Sequence, residues 1–229
     1  MPRDNIEHNI DEKKRNSLYI SGDYTVIGIC SKCGDYRWNK SISKDGNRVV
    51  CPSCGFEWKY KSLPLFVLTG CSGVGKTTTA QALLQRETTY LVMDADYFGF
   101  MGEDYQARAE QVLNLSKNLM QSGKPVLWTM AGALEKLDRT YHRRFFRNIH
   151  YLALVCDADD LRHRMMVGRA IQDEEWIKRS VEHNAYLMCH DSIEGVGYDR
   201  FDITGKSVDE VADYVDSWIR EKWNAERES

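Results

Sequence analysis

Gly70-Cys71-Ser72-Gly73-Val74-Gly75-Lys76-Thr77 reads G-x-x-x-x-G-K-T, a phosphate-binding loop pattern. Its flanks fit. Leu65-Phe66-Val67-Leu68-Thr69 before it is a short apolar run, as a buried parallel strand requires. From Thr77 to Arg86 there is no Gly or Pro, and Ala80, Leu83 and Leu84 recur at helical spacing. Gly73 and Gly75 let the backbone fold tightly enough to aim several N–H groups at one anion. The helix start adds positive potential at the same point. The pattern gives the cradle to Gly70, Ser72, Gly73, Val74, Gly75 and Thr78. It gives the β/γ-phosphate contact to Lys76 and a Mg²⁺ ligand to the Thr77 hydroxyl.

Two more signals lie on the N-terminal side. Cys30-Ser31-Lys32-Cys33-Gly34 and Cys51-Pro52-Ser53-Cys54-Gly55 are C-x-x-C-G knuckles with seventeen residues between Cys33 and Cys51. That spacing predicts a Cys₄ zinc site, closed to water because all four ligands are thiolates, and therefore structural. Tyr36 and Trp38, then Phe56, Trp58 and Tyr60, alternate after the knuckles and predict short strands. Residues 18–62 thus read as a zinc ribbon, too small to fold without the metal. Residues 30–61 hold seven Lys/Arg against three Asp/Glu, which suits a nucleic acid. The favoured reading is instead a packing module, whose aromatics fill its own core.

The bulk numbers set limits. The chain has 229 residues, 42% hydrophobic and 28% charged, with net charge −3. This fits one α/β domain (63–229) plus the ribbon, after a polar N-terminal arm over residues 1–17 expected to be flexible. No apolar run is long enough to span a membrane, the first residues lack an apolar signal core, and cysteine pairs of this kind belong to a reducing compartment. The expectation is a cytoplasmic protein without membrane contact. Oligomeric state stays open.

Beyond the loop, apolar runs alternate with helical patterns, the βα rhythm of a five-stranded parallel sheet. Strands are predicted at Tyr90–Met93, Pro125–Met130, Tyr151–Cys156 and Arg200–Ile203. Helices are predicted at 103–122, Leu134–Arg147, Asp157–Arg169, Asp173–Cys189 and after Ser207. Residues 139–169 contain seven Arg and no Lys. Arginine's planar fork binds phosphate oxygens in pairs. The five histidines past residue 100 show no ligand spacing, and Cys71, Cys156 and Cys189 read as ordinary thiols, Cys71 being open to alkylation because it sits inside the loop.

In this order of elements the chain from about 65 to 224 resembles the P-loop small-molecule and nucleotide kinases. That group includes nucleoside monophosphate, gluconate and shikimate kinases and chloramphenicol phosphotransferase. Besides the loop, three stretches carry the resemblance. Asp94-Ala95-Asp96-Tyr97-Phe98 is similar to the stretch that holds an acceptor-hydroxyl base, which implies Asp96, or Asp94, in that role. Cys156-Asp157-Ala158-Asp159-Asp160-Leu161-Arg162-His163-Arg164, running to Arg169, looks like a strand entering an arginine-bearing lid, which implies Arg162, Arg164 and Arg169 as catalytic. Asp202-Ile203-Thr204-Gly205-Lys206-Ser207 is similar to the loop beside the base of ATP, which implies Thr204 there. One departure stands out. The third strand ends in Thr129-Met130-Ala131 without the usual acidic residue, so Asp94, Asp96 or water must serve the metal. The resemblance implies an ATP- and Mg²⁺-dependent phosphotransferase acting on a nucleoside, nucleotide or other small hydroxyl compound. The alternatives are a polynucleotide 5′-hydroxyl kinase gripping nucleic acid with the ribbon, and a nucleotide-switched regulatory NTPase.

Overall fold

The computed structural model describes residues 27–96 and 104–228. The arm over 1–17 and the Tyr97–Phe98 end of one motif lie outside them. The chain divides into two compact units between Tyr60 and Lys61.

In the first unit each knuckle closes in the same way. Cys30 N–H donates to Asp35 O and Gly34 N–H to Cys30 O; Cys51 N–H donates to Phe56 O and Gly55 N–H to Cys51 O. Three short antiparallel strands follow in the order β1 (Ser41–Ile42), β2 (Arg48–Val50), β3 (Glu57–Lys59). Val49 and Trp58 pair across β2 and β3 and are buried along with Ile27, Cys30 and Cys51.

Tyr36 and Trp38 correct an expectation. They form no strand, and they point outward, 82% and 59% exposed. The reason is a competing set of hydrogen bonds. The Asp35 carboxylate accepts from the Arg37 N–H at 2.8 Å, and the buried Lys40 ammonium donates to Asp35 O and Arg37 O at 3.0 and 2.8 Å. Backbone groups that a ladder needs are spent on side chains. The core of this unit holds Trp58 but not the first pair of aromatics.

The second unit is a five-stranded parallel sheet in the order β10-β7-β4-β6-β5. Its strands are β4 (Leu65–Thr69), β5 (Leu91–Asp94), β6 (Val126–Thr129), β7 (Ile149–Val155) and β10 (Asp199–Asp202). Central β4 is buried throughout, so an unbroken apolar run suits it. Between the strands run α1 (Lys76–Leu84), α2 (Tyr105–Leu119), α3 (Leu134–Asp138), α4 (Ala158–His163), α5 (Glu174–Cys189) and α6 (Val208–Glu228). A small hairpin, β8 (Ser192–Ile193) with β9 (Val196–Gly197), precedes β10; the sequence pattern does not announce it.

Two predicted helices are shorter than expected. Leu134–Arg147 splits, because α3 stops at Asp138 and Thr140 caps a separate 3₁₀ turn over Tyr141–Phe145. Asp157–Arg169 begins as α4, with Asp157 accepting from the Asp159 N–H, then widens into a π turn over Arg164–Gly168. Ile171 N–H reaches back to Met165 O, with Ala170 in the left-handed region at φ 52°. Val211, Ala212, Val215 and Ile219 of α6 pack on the sheet, where Trp218 meets Phe66 edge-on at 5.5 Å.

β4 neighbours β6 on one side and β7 on the other, so chain direction across the sheet reverses at its carboxyl end. In open parallel sheets the crevice outside that point is where ligands bind. The glycine-rich loop occupies it.

Candidate active site

The loop runs from Gly70 into α1. A Cβ at Gly70 would lie 2.6 Å from Leu154 O, a backbone atom of β7 with nowhere to go, so only glycine fits. At Gly73, φ 83°, a Cβ would meet Met165 Cγ at 2.6 Å. The π turn therefore lays a buried methionine directly on the loop. Helix α1 starts at Gly75 with no side-chain cap and no acidic residue in its first turn. Its leading N–H groups are left for an anion.

Lys76 is half-buried, and its ammonium donates to the loop's own Gly70 and Cys71 carbonyls, both at 2.9 Å. Burial lowers its pKa, while the charges of Asp96 and Asp94 act in the other direction and Arg169 adds to the lowering. Three sequence-predicted groups thus share one electrostatic neighbourhood with Lys76. Asp94 ends β5 and is buried; its carboxylate accepts the Asp96 N–H at 2.9 Å. Asp96 is exposed. The register pairs Asp94 with Thr129, and Thr129 with Leu68 of β4. A carboxylate thus lies one strand further out, level with Thr129 at the end of β6.

The arginines separate. Arg169 donates to Ser72 Oγ at 3.2 Å and lies over the Trp176 ring at 5.8 Å. Arg164 is held by Asp160 at 3.0 Å, and a Cβ on Gly75 would be 4.0 Å from its Nη1. Arg162 pairs with exposed Asp159 at 3.4 Å. Arg143, Arg144 and Arg147 bind Asp138, Tyr141 O and Glu226 O, so they are structural. Thr77 and Thr78 are exposed at the helix start. Thr204 accepts the Asp157 N–H at 2.8 Å and donates to Asp202 at 2.7 Å, fastening the loop after β10 to the end of β7. Those bonds hold the Asp202 carboxyl below its ordinary range.

Asn184, on α5, carries no signal in the sequence beyond its place in a helix. It is 1% exposed. Its amide donates to Cys156 O at 2.6 Å and accepts the Cys156 N–H at 3.2 Å, acting as one more ladder partner where β7 runs out. Cys71 Sγ approaches the same Asn184 oxygen at 3.9 Å. Burial pushes the Cys71 thiol up to about 11, which suits an ordinary buried thiol. The residue preceding Asn184, His183, feels Lys76 as well: burial first, then the Lys76 charge, lower its pKa.

No family model matches the chain, and no curated protein matches its sequence. Solved structures do match. An unliganded sugar kinase from Janibacter sp. superposes with a TM-score of 0.51 at 16% identity, over 70% of this chain and 95% of that one. The Deinococcus radiodurans tunicamycin resistance protein gives 0.53 at 15% identity, over 69% and 96%. The larger unit has the fold of the P-loop kinases.

In that N-terminal unit the four predicted cysteine sulfurs, of Cys30, Cys33, Cys51 and Cys54, lie within 4.8 Å of one another. Two of the separations are 3.7 and 3.6 Å. A tetrahedron of Zn–S bonds of about 2.3 Å has edges of about 3.8 Å. The cluster fits zinc and leaves no coordination position open.

Proposed function

We propose that the larger unit transfers the γ-phosphate of ATP to the hydroxyl of a small organic acceptor. The observation that carries this reading is the convergence, at one crevice, of Lys76, the Asp94/Asp96 pair and Arg169. A nucleotide switch has no need of a free carboxylate beside its phosphate loop; a transferase to a hydroxyl does. The names of the two structural neighbours, a sugar kinase and a tunicamycin resistance protein, agree with an acceptor of modest size.

In this reading the amides and side chains of Gly70, Ser72, Gly73, Val74, Gly75, Thr77 and Thr78 hold the phosphates, and Thr204 lies beside the nucleotide base. Lys76 exchanges its two loop carbonyls for phosphate oxygens. Thr77, with Asp94 through water, would hold Mg²⁺, which would supply charge neutralisation to the phosphates. Asp96 takes the acceptor's proton as its oxygen attacks the γ-phosphorus; the bond to the ADP oxygen breaks, and the lid arginines meet the charge on the transferring group. The Arg169–Ser72 bond and the approach of Arg164 to Gly75 support this role for those two; Arg162 would have to leave Asp159 to take it. Zinc in the N-terminal unit is structural.

The experiment is steady-state kinetics of Asp96→Asn with the acceptor saturating. Loss of the base lowers turnover by about 10²–10⁴-fold, with ATP affinity nearly unchanged. Full turnover in the variant refutes the assignment and favours an acceptor whose attacking oxygen is already ionised, as on a phosphate.

A further inference from the structure

We propose that the N-terminal unit binds single-stranded nucleic acid through the exposed rings of Tyr36 and Trp38 and the cations of its three-stranded sheet. This is independent of the kinase reading, since none of these residues belongs to the larger unit.

A unit this small has few apolar side chains, and the informative observation is a large one left outside. Tyr36 and Trp38 stand in solvent while the unit closes on Ile27, Val49 and Trp58. Their backbone is not a loose loop. Arg37, between them, is bound by Asp35 and by Ser53, and Lys40 fastens the carbonyls of Asp35 and Arg37. Each exposed ring offers a face on which a base stacks. Stacking of this kind tolerates any base, because every base has a π face.

Charge points to the same ligand. The register sets Arg48 directly opposite Lys59, which brings two cations together on one face of the sheet. Lys44 in the hairpin turn and Lys32 in the first knuckle are exposed. Of the acids, Asp35 is taken by Arg37 and Lys40, and Asp45 by the Ser43 hydroxyl. Residues 27–60 hold six Lys/Arg against three Asp/Glu. That stretch keeps a positive balance even with the double negative charge of a zinc tetrathiolate. Rings for bases and cations for phosphates match a single strand; a duplex keeps its bases stacked on each other and offers nothing to Tyr36 and Trp38.

The test is fluorescence anisotropy with the full, zinc-loaded chain and short fluorescein-labelled oligo-dT, oligo-rU and duplex DNA. The expected result is saturable binding of single strands in preference to duplex. Affinity falls with salt by about 0.7 log unit per tenfold salt for each cation engaged. Tyr36→Ala and Trp38→Ala each weaken binding about fivefold or more, with zinc content and melting unchanged. Arg48→Gln with Lys59→Gln flattens the salt slope. Excess Mg·ATP leaves the complex intact. The oligo-dT and oligo-rU arms tell whether DNA, RNA or both supply the shared chemistry. Four results overturn the proposal: no saturation by about 100 µM protein, the weak end of non-specific binding; equal affinity for duplex; indifference to both ring substitutions; or displacement by ATP, which would put the oligonucleotide on the phosphate loop instead.

Discussion

Asn184→Leu isolates the contribution of the buried amide that closes β7 beside the phosphate loop. Leucine has the same number and branching of side-chain heavy atoms but neither hydrogen bond. The change leaves the Cys156 N–H and C=O, now held at 3.2 and 2.6 Å, without a partner in a residue that is fully buried. Each orphaned backbone group costs about 1–3 kcal/mol. The extra apolar burial of leucine returns part of this, which leaves a net loss of about 2 kcal/mol. For a unit of this size that lowers the melting temperature by about 4–8 °C. The assay is calorimetric or circular-dichroism melting with zinc saturating, so that the N-terminal unit contributes equally to both proteins. Cys71, which faces the same Asn184 oxygen, also reacts faster with a thiol reagent in the variant. A melting temperature within about one degree of the parent refutes the reasoning, since it means that water or a shifted strand end satisfies both groups.

Stability also depends on pH through His142, which is buried beside the Lys117 ammonium at 3.1 Å and pushed down to about 4 by burial and by the Lys117 and Arg144 charges. Glu110, at 3.9 Å on its other nitrogen, opposes the shift without cancelling it. The unfolded chain binds this proton more readily than the folded one. The stabilisation is therefore complete above pH ~6.5 and is lost as pH falls toward ~4. His142→Gln removes that slope from a melting-versus-pH series, and an unchanged slope contradicts the assignment. Chelating the zinc with a strong chelator unfolds the N-terminal unit and leaves the α/β unit's melting in place; metal analysis finding no zinc in protein purified without chelator contradicts this.

What could be read from the sequence was what is local. The phosphate loop announces itself because strand, glycines and helix start are contiguous from Leu65 to Leu84. The Cys₄ cluster does so because knuckle spacing is a covalent constraint. The rest depends on pairing across the chain. The Asp94–Thr129 register, which brings a carboxylate level with the end of β6, exists only once β5 is laid against β6. Asn184 meets Cys156 and Cys71 from helix α5, far away in sequence, and its own surroundings read as an ordinary helix. The arginine run looks uniform until the fold sorts it, with Arg164 and Arg169 at the loop and Arg143, Arg144 and Arg147 holding backbone and side-chain partners elsewhere. Tyr36 and Trp38 mislead in the opposite direction. Their alternation is that of a strand, but Asp35 and Lys40 claim the backbone first.

The most direct test of the account follows the γ-phosphate itself. The protein is incubated with γ-labelled ATP, Mg²⁺ and a panel of sugars, nucleosides, nucleotides and other small hydroxyl compounds, and the labelled product is identified. The account predicts label on the hydroxyl oxygen of one small acceptor, with ADP formed in equal amount, and no transfer by a folded Lys76→Ala variant. Label appearing only as inorganic phosphate whatever the acceptor, or undiminished transfer by Lys76→Ala, would contradict it.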